Sequence, residues 1–217
     1  YASSAATYGD GGLGFEDKDD LESLAALRPL NPYGWSKALF DHFAARQASR
    51  GYAPPQWVGL KFFNVYGPNE DHKGSMKSVA AQIWPKVKAG DTVQLFESHR
   101  EGIAHGGQER DFVYVRDVAD VVAWLSASPA VNGVFNLGSG KARTFADLAT
   151  SVFEAAGRKP LIEYTPMPES IRDKYQYFTQ ASMARLTAAG YNQPFTSLED
   201  GVKDYVQAYL ATEDPYR

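Results

Sequence analysis

The chain has 217 residues, 44% hydrophobic and 22% charged, the make-up of one globular domain or a domain and a half. A net charge of −4 and four scattered histidines argue against a nucleic-acid partner and suggest no metal centre. With no cysteine there is no disulfide framework and no thiolate chemistry, which suits a reducing compartment. No apolar run approaches the ~18 residues of a membrane span, and no signal peptide is visible, so no membrane role is expected.

In chain order, Tyr1-Ala2-Ser3-Ser4 reads as the end of a buried strand. Chains rarely begin in a core strand, so the C-terminal part of a longer protein is expected. A small-residue loop over 5–12 follows. Residues 15–30 are acidic, with five carboxylates between Glu16 and Glu22, and read as a solvated loop or short exposed helix. Asn31-Pro32 opens a helix over 31–50, with Leu39, Phe40 and Phe43 as its apolar stripe and Gly51 as its stop. A buried strand over 57–63, a loop over 64–74, a helix over 75–88 ending at Gly90 and a strand over 92–96 come next.

Residues 98–109 hold two histidines and three glycines without periodicity, and read as a mobile loop or hairpin tip. Residues 110–115 alternate as a strand, and Asp117 is expected to N-cap a helix through about 127. A strand over 134–138 precedes a helix over 144–156, where Thr144 and Asp147 have the spacing of a capping box. A strand over 161–164, a proline-broken loop over 166–174 and helices over 179–189 and 197–210 complete the chain. Strands alternating with helices predict an α/β fold with a mostly parallel sheet.

The chemistry centres on Asn31-Pro32-Tyr33-Gly34-Trp35-Ser36-Lys37. Tyr33 and Lys37 are four residues apart, on one face of the predicted helix and one turn from each other. A free phenol, with a pKa of ~10, is a poor base at neutral pH. A cation held nearby favours the phenolate and makes it a usable acid/base for a hydroxyl. The competing reading is a surface helix with an unremarkable Tyr and Lys. A hydroxyl at the C-terminal end of a parallel strand points into the crevice where such folds bind ligands. Ser4 is therefore placed to hydrogen-bond the oxygen that Tyr33 deprotonates, against the alternative of strand-end packing and turn bonding.

Four motifs in order carry a resemblance: Tyr1 to Gly9 (YASSAATYG), Asn31 to Lys37, Phe63 to Pro68 (FNVYGP) and Arg110 to Val115 (RDFVYV). Together they resemble the extended short-chain dehydrogenase/reductases acting on nucleotide-sugars. Within that superfamily, Gly67-Pro68 followed by Glu70 to Met76, Leu95-Phe96-Glu97, and Tyr175 to Ala181 resemble the ADP-heptose 6-epimerase family, over essentially the whole chain. The resemblance implies the C-terminal half of a Rossmann-like NADP-binding domain plus a smaller α/β substrate-binding domain. It assigns 1–63, 114–143 and 179–190 to the former and 64–113, 144–178 and 191–217 to the latter.

By motif, the resemblance makes Tyr33 the acid/base, Lys37 its partner and a cofactor contact, and Ser4 the third member of the triad. Lys73 matches a second acid/base beside the cofactor, and Val65 lies against the cofactor. Asn64, Ser75, Phe96, Glu97, Ser98 and Tyr175 match substrate-contacting positions, and Arg110 matches the arginine that clamps the diphosphate. Phe96 as core, Ser98 as a turn residue and Tyr175 as plain packing are the competing readings. Gln82 stands where a substrate-contacting histidine is expected, and the 98–109 loop is longer than the family pattern.

The resemblance implies NADP-dependent inversion at C6 of an ADP-heptose by transient oxidation, for lipopolysaccharide core synthesis. It further implies a homo-oligomer, pentameric in the family, in the cytoplasm of a Gram-negative bacterium. These 217 residues contain no G-x-x-G-x-x-G turn of the kind whose helix N-terminus binds a dinucleotide pyrophosphate. Two alternatives therefore stay open: another nucleotide-sugar epimerase or dehydratase, and a non-catalytic nucleotide-sugar-binding fragment.

Overall fold

A computed structural model describes residues 1–172 and 175–214. The strands are β1 (Ala2–Ser4), β2 (Val58–Phe62), β3 (Asn64–Tyr66), β4 (Val93–Phe96), β5 (Glu109–Tyr114), β6 (Gly133–Leu137), β7 (Ala142–Thr144) and β8 (Ile162–Thr165). The helices are α1 (Leu21–Ala26), α2 (Pro32–Ser49), α3 (Val79–Ala89), α4 (Val115–Ser126), α5 (Phe145–Ala155), α6 (Glu169–Arg172), α7 (Ala184–Ala188) and α8 (Leu198–Tyr205). Short 3₁₀ turns follow β1 (Ala5–Tyr8) and β3 (Asp71–Met76), and α8 continues as a π-helical stretch over Val206–Leu210.

The first sheet runs β1-β2-β6, all parallel, with Ala2 opposite Leu60 and Leu60 opposite Phe135. In the second, β5 pairs parallel with β3 and antiparallel with β7, and β4 pairs parallel with β8 in a third. This is the α/β, Rossmann-like architecture that the alternation of elements predicts. Beneath it lie three apolar clusters: Phe112, Val152 and Val202 in the largest, Leu60, Phe135 and Leu186 in the second, and Tyr8, Leu24 and Phe63 in the third.

Helix α2 starts where the sequence places it, with the Asn31 side chain accepting from Gly34 N at 2.8 Å and Pro32 in the first turn. Its buried face is a correction. Leu39, Phe40 and Phe43 are 64%, 48% and 52% exposed, whereas Gly34, Ala38, Asp41 and Ala45 face inward. The reason is steric: a Cβ on Gly34 would lie 2.7 Å from the Ala6 carbonyl oxygen, so only a small-residue face fits against the 3₁₀ turn after β1.

The polar exception on that face is Asp41, fully buried. It accepts from Lys61 Nζ at 2.8 Å, Ser3 Oγ at 2.7 Å and the Tyr1 hydroxyl at 2.9 Å. Lys61, on β2 and equally buried, also donates to Thr7 Oγ1 at 2.6 Å, and its ammonium lies 5.0 Å from the Tyr8 ring centroid. Burial pushes the Lys61 ammonium below its ordinary range, and the Asp41 charge opposes that shift.

Other elements differ from the sequence reading for identifiable reasons. Asp117 is no N-cap: it sits inside α4, and its carboxylate accepts from Thr196 N and Oγ1 at 2.9 and 2.7 Å. The helix expected over 75–88 begins only at Val79, where Ser78 caps it, because residues 71–76 close as a 3₁₀ turn. Residues 64–66, read as loop, pair with β5 as a strand. The helix expected over 179–189 shortens to α7, because Thr179 Oγ1 accepts from Asp111 N and Ala181 N donates to the Asp111 carboxylate at 2.9 Å. The capping box at Thr144 and Asp147 is present. The loop expected over 166–174 contains α6, and its last two residues lie outside the described ones.

Two side chains carry testable weight in this frame. Lys61→Met leaves the Asp41 carboxylate buried without its cation, and should lower stability by about 3–5 kcal/mol in urea unfolding. Asp111, fully buried, also accepts from Ser139 N at 2.6 Å and Gly140 N at 2.9 Å. Asp111→Ala orphans these amides and should cost about 3 kcal/mol or more in the same measurement. A loss under 1 kcal/mol would show water replacing the carboxylate.

Candidate active site

The first turns of α2 bring Lys37 against Tyr33 and against β1, the strand that ends in Ser4. Lys37 Nζ donates to the Ala2 carbonyl at 2.9 Å and lies 5.8 Å from the Tyr33 ring centroid. The carbonyl thus fixes the ammonium under the ring, on the face shared by positions i and i+4. Tyr33 is 56% exposed, and its hydroxyl has no partner among the described residues. Ser4 makes the turn bond of the alternative reading. Its Oγ accepts from Ala6 N at 3.1 Å, capping the 3₁₀ turn, while its hydroxyl proton has no acceptor among the described residues.

Asp41 continues the series Tyr33, Lys37, Asp41 at successive intervals of four. Through Ser3 and Lys61 it ties α2 to both β1 and β2, and Thr7 carries the tie to the Ser4 carbonyl at 2.9 Å. Neither Asp41 nor Lys61 was singled out by motif. Their signal is a lone acid on the small-residue face of α2 and a lone lysine within the apolar strand 57–63.

Asn64 is exposed on β3 and Val65 beside it is half-buried. Lys73 and Ser75 lie on the following 3₁₀ turn, both exposed. Lys73 Nζ is 3.8 Å from the buried Glu70 carboxylate, which also accepts from Ser78 N at 2.7 Å and the Tyr205 hydroxyl at 2.9 Å. Among the described residues no hydrogen bond or ion pair joins Lys73 to Tyr33, so these two expected acid/base groups are not in direct contact. Gln82 donates its amide to the Ser75 and Lys77 carbonyls at 3.2 and 2.7 Å, holding this turn against α3.

A second group surrounds a cleft of about 260 Å³ lined by Gln82, Gln94, Phe96, Gln108, Phe145 and Tyr175. Phe96 is half-exposed and meets Tyr175 edge-on at 6.3 Å, which fits a contact surface better than core packing. Arg110 lies between Tyr175 and Phe145, its guanidinium 5.2 and 5.5 Å from their ring centroids. It is 9% exposed, donates to the Glu109 carbonyl at 2.8 Å and has no carboxylate partner among the described residues. Burial lowers its pKa, yet a guanidinium remains charged at neutral pH. A buried cation without its anion is costly, and an anionic ligand removes that cost. Burial in turn raises the Tyr175 hydroxyl, with the Arg110 charge opposing.

The loop over 98–109 is extensively tied down rather than an unanchored tip. Gly106 N donates to the Phe96 carbonyl at 3.0 Å, and Ser98 N to His105 Nδ1 at 3.0 Å. Gln108 Nε2 donates to the Glu97 carbonyl at 3.2 Å, while Glu97 N donates to the Thr165 carbonyl at 2.8 Å. The glycines that suggested mobility instead permit close contacts: a Cβ on Gly106 would meet Tyr164 at 2.8 Å. Glu97 and Ser98 therefore sit on a braced segment.

Comparisons with known proteins bear on the family and the fold. The model of the NAD dependent epimerase/dehydratase family matches residues 1–138. The chain is 53% identical, over 99% of its own length, to ADP-L-glycero-D-manno-heptose-6-epimerase of Nitratidesulfovibrio vulgaris strain Hildenborough, and spans 65% of that relative. It superposes on the Helicobacter pylori ADP-L-glycero-D-manno-heptose-6-epimerase with a TM-score of 0.73 at 30% identity, covering 96% of this chain and 58% of that one. Thermus thermophilus UDP-glucose 4-epimerase, solved in complex with NAD, gives a TM-score of 0.74 at 30% identity, covering 95% of this chain and 61% of that one. With the parallel β1-β2-β6 sheet and the Tyr33–Lys37 helix packed on it, the match places the chain in the NAD dependent epimerase/dehydratase family.

Proposed function

We propose that this chain carries the reacting residues of an epimerase that converts ADP-D-glycero-D-manno-heptose to ADP-L-glycero-D-manno-heptose. The observation that carries the reading is the Lys37 ammonium held between the Tyr33 ring and the Ala2 carbonyl of β1, the strand that ends in Ser4. The choice of sugar rests on likeness to the heptose epimerases.

Carbon 6 of such a sugar has no adjacent carbonyl, so its hydrogen is not acidic, and inversion needs transient oxidation to a 6-ketone. A nicotinamide cofactor, NADP in this reading, supplies hydride acceptance and return. Its nicotinamide end fits the exposed Tyr33 and Lys37 at the crevice end of β1, with Val65 and Lys73 as further contacts. No G-x-x-G-x-x-G turn among the 217 residues holds its pyrophosphate, so only the nicotinamide end is assigned to this chain.

Tyr33 takes the proton of the C6 hydroxyl, Ser4 donates to the same oxygen, and Lys37 stabilises the phenolate. After the ketone presents its other face, Lys73 delivers the proton on that side, its Glu70 partner holding it in the turn. Arg110 takes the diphosphate. Asn64, Ser75, Gln82, Phe96, Glu97, Ser98 and Tyr175 hold the rest of the nucleotide-sugar.

The same reading assigns 1–63, 114–143 and 179–190 to the cofactor side and 64–113, 144–178 and 191–217 to the substrate side. Residues 173, 174 and 215–217 of these spans lie outside the described ones. It extends to a homo-oligomer, pentameric as in the family, acting in lipopolysaccharide core supply in a Gram-negative cytoplasm. Among the described residues no helix is long and apolar enough to cross a membrane.

Tyr33→Phe should lower turnover by about 10²–10⁴-fold while sparing ADP-heptose binding. Full activity in that variant would remove Tyr33 from the mechanism. The second reading, a 4-epimerase, is supported by the likeness to UDP-glucose 4-epimerase. Turnover of ADP-heptose set against UDP- and dTDP-hexoses separates the two, with a preference for ADP-heptose expected.

A further inference from the structure

Two arginines flank the packed Tyr175 and Tyr177 rings, and neither has a carboxylate partner among the described residues; one is Arg110. The other is Arg100, on the 98–109 loop, which makes no ion pair among the described residues, whereas Arg116, Arg143 and Arg185 each have one. Its guanidinium lies 4.2 Å from the Tyr177 ring centroid. Tyr177 meets Tyr175 edge-on at 5.8 Å, and Tyr175 meets Arg110 at 5.2 Å. A guanidinium therefore stands at each end of a pair of packed tyrosine rings.

This arrangement is built rather than accidental. The Tyr177 hydroxyl accepts from His99 N at 3.0 Å and bonds His99 Nδ1 at 2.9 Å, which fixes the backbone immediately before Arg100. Ser98 Oγ bonds both Arg100 N and Arg100 O at 3.1 Å. A guanidinium stacked on an aromatic face keeps its edge N–H groups free for bidentate donation to a phosphate or carboxylate.

The two cavities of this region explain what would pass between the arginines. The 260 Å³ cleft around Phe96 and Gln82 is lined by Tyr175, and so is a neighbouring cavity of about 350 Å³. The second is also lined by Arg100, Tyr177, Gln176, Asp10 and Leu30. Leu30 immediately precedes Asn31, the cap of the helix that carries Tyr33. A ligand spanning the two cavities passes Tyr175, which packs on Arg110, and meets Arg100 in the second. In a nucleotide-sugar the part that lies between base and sugar is the diphosphate. Asp10, the carboxylate among the lining residues, already accepts from Gly12 N at 2.8 Å.

We infer that Arg100 is a second phosphate-binding residue of the substrate site. It forms with Arg110, across Tyr175 and Tyr177, a clamp that takes the diphosphate of a nucleoside diphosphate sugar. The nucleotide-sugar and its adenine rest on the reading proposed above, whereas the binding of pyrophosphate by the two arginines does not.

Titration calorimetry of the chain with pyrophosphate, ADP, UDP and adenosine tests this, in the wild type, Arg100→Ala, Arg100→Lys and Arg110→Ala. Arg100→Ala should raise the Kd for pyrophosphate and for ADP about tenfold or more and leave adenosine unchanged. Arg100→Lys should restore part of the loss, since the charge returns without the planar fork. UDP bound as tightly as ADP by the wild type, with both weakened by Arg100→Ala, would support the clamp while refuting the adenine assignment. The clamp is overturned if Arg100→Ala binds pyrophosphate and ADP like the wild type, or if the wild type binds neither. It is also overturned if adenosine weakens in the same proportion as ADP, since that outcome marks a displaced loop rather than a lost phosphate contact.

Discussion

An ion pair sealed from solvent holds this fold in register. Asp41 and Lys61 are both fully buried, on α2 and β2, and each satisfies the other's charge. A lone buried ion costs several kcal/mol, so neither element can shift without exposing or orphaning a charge. The pair is extended by Ser3, Tyr1 and Thr7, so the helix carrying Tyr33 and Lys37 has a fixed height above the strand carrying Ser4. Lys37 adds a direct bond from that helix to the same strand through the Ala2 carbonyl. The placement of Ser4, Tyr33 and Lys37 thus depends on one charge pair.

Whereas the α2–β2 junction closes its charge balance internally, the electrostatic logic around Tyr175 is reversed. Here, among the described residues, cations are left without carboxylates: Arg110 buried between Phe145 and Tyr175, and Arg100 stacked on Tyr177. Rigidity is supplied by other means. Asp111, next to Arg110 on β5, gathers the amides of Ser139, Gly140 and Ala181, binding the strand to the loop after β6 and to the segment before α7. Burial raises the Asp111 pKa, and the hydrogen bonds it accepts oppose that shift.

Much of this was legible before any coordinates. The α/β class follows from alternating strand and helix signals, and the start of α2 from Asn31-Pro32, because caps and periodicity are local properties. The Tyr33–Lys37 pair follows from helical spacing alone. The errors arose where a tertiary partner outbid a local preference. Leu39, Phe40 and Phe43 looked like the core stripe of α2, yet close approach to the Ala6 carbonyl demands the small residues Gly34 and Ala38 instead. Asp117 resembled a cap, yet its carboxylate is taken by Thr196, 79 residues away. The glycines and histidines of the 98–109 loop suggest mobility when read locally, whereas the bonds that pin it come from Phe96 and Tyr177 outside it.

The sequence by itself determined the class of fold, the shared face of Tyr33 and Lys37 on α2 and the family its ordered motifs resemble, since each is written in residues close together along the chain. Only the tertiary structure decided that Asp41 meets Lys61, that Arg110 is buried with no carboxylate partner among the described residues, and that Arg100 stands across two tyrosines from it. Those facts depend on which distant charges are desolvated together. Burial and pairing are properties of the packed chain, and no periodicity encodes them.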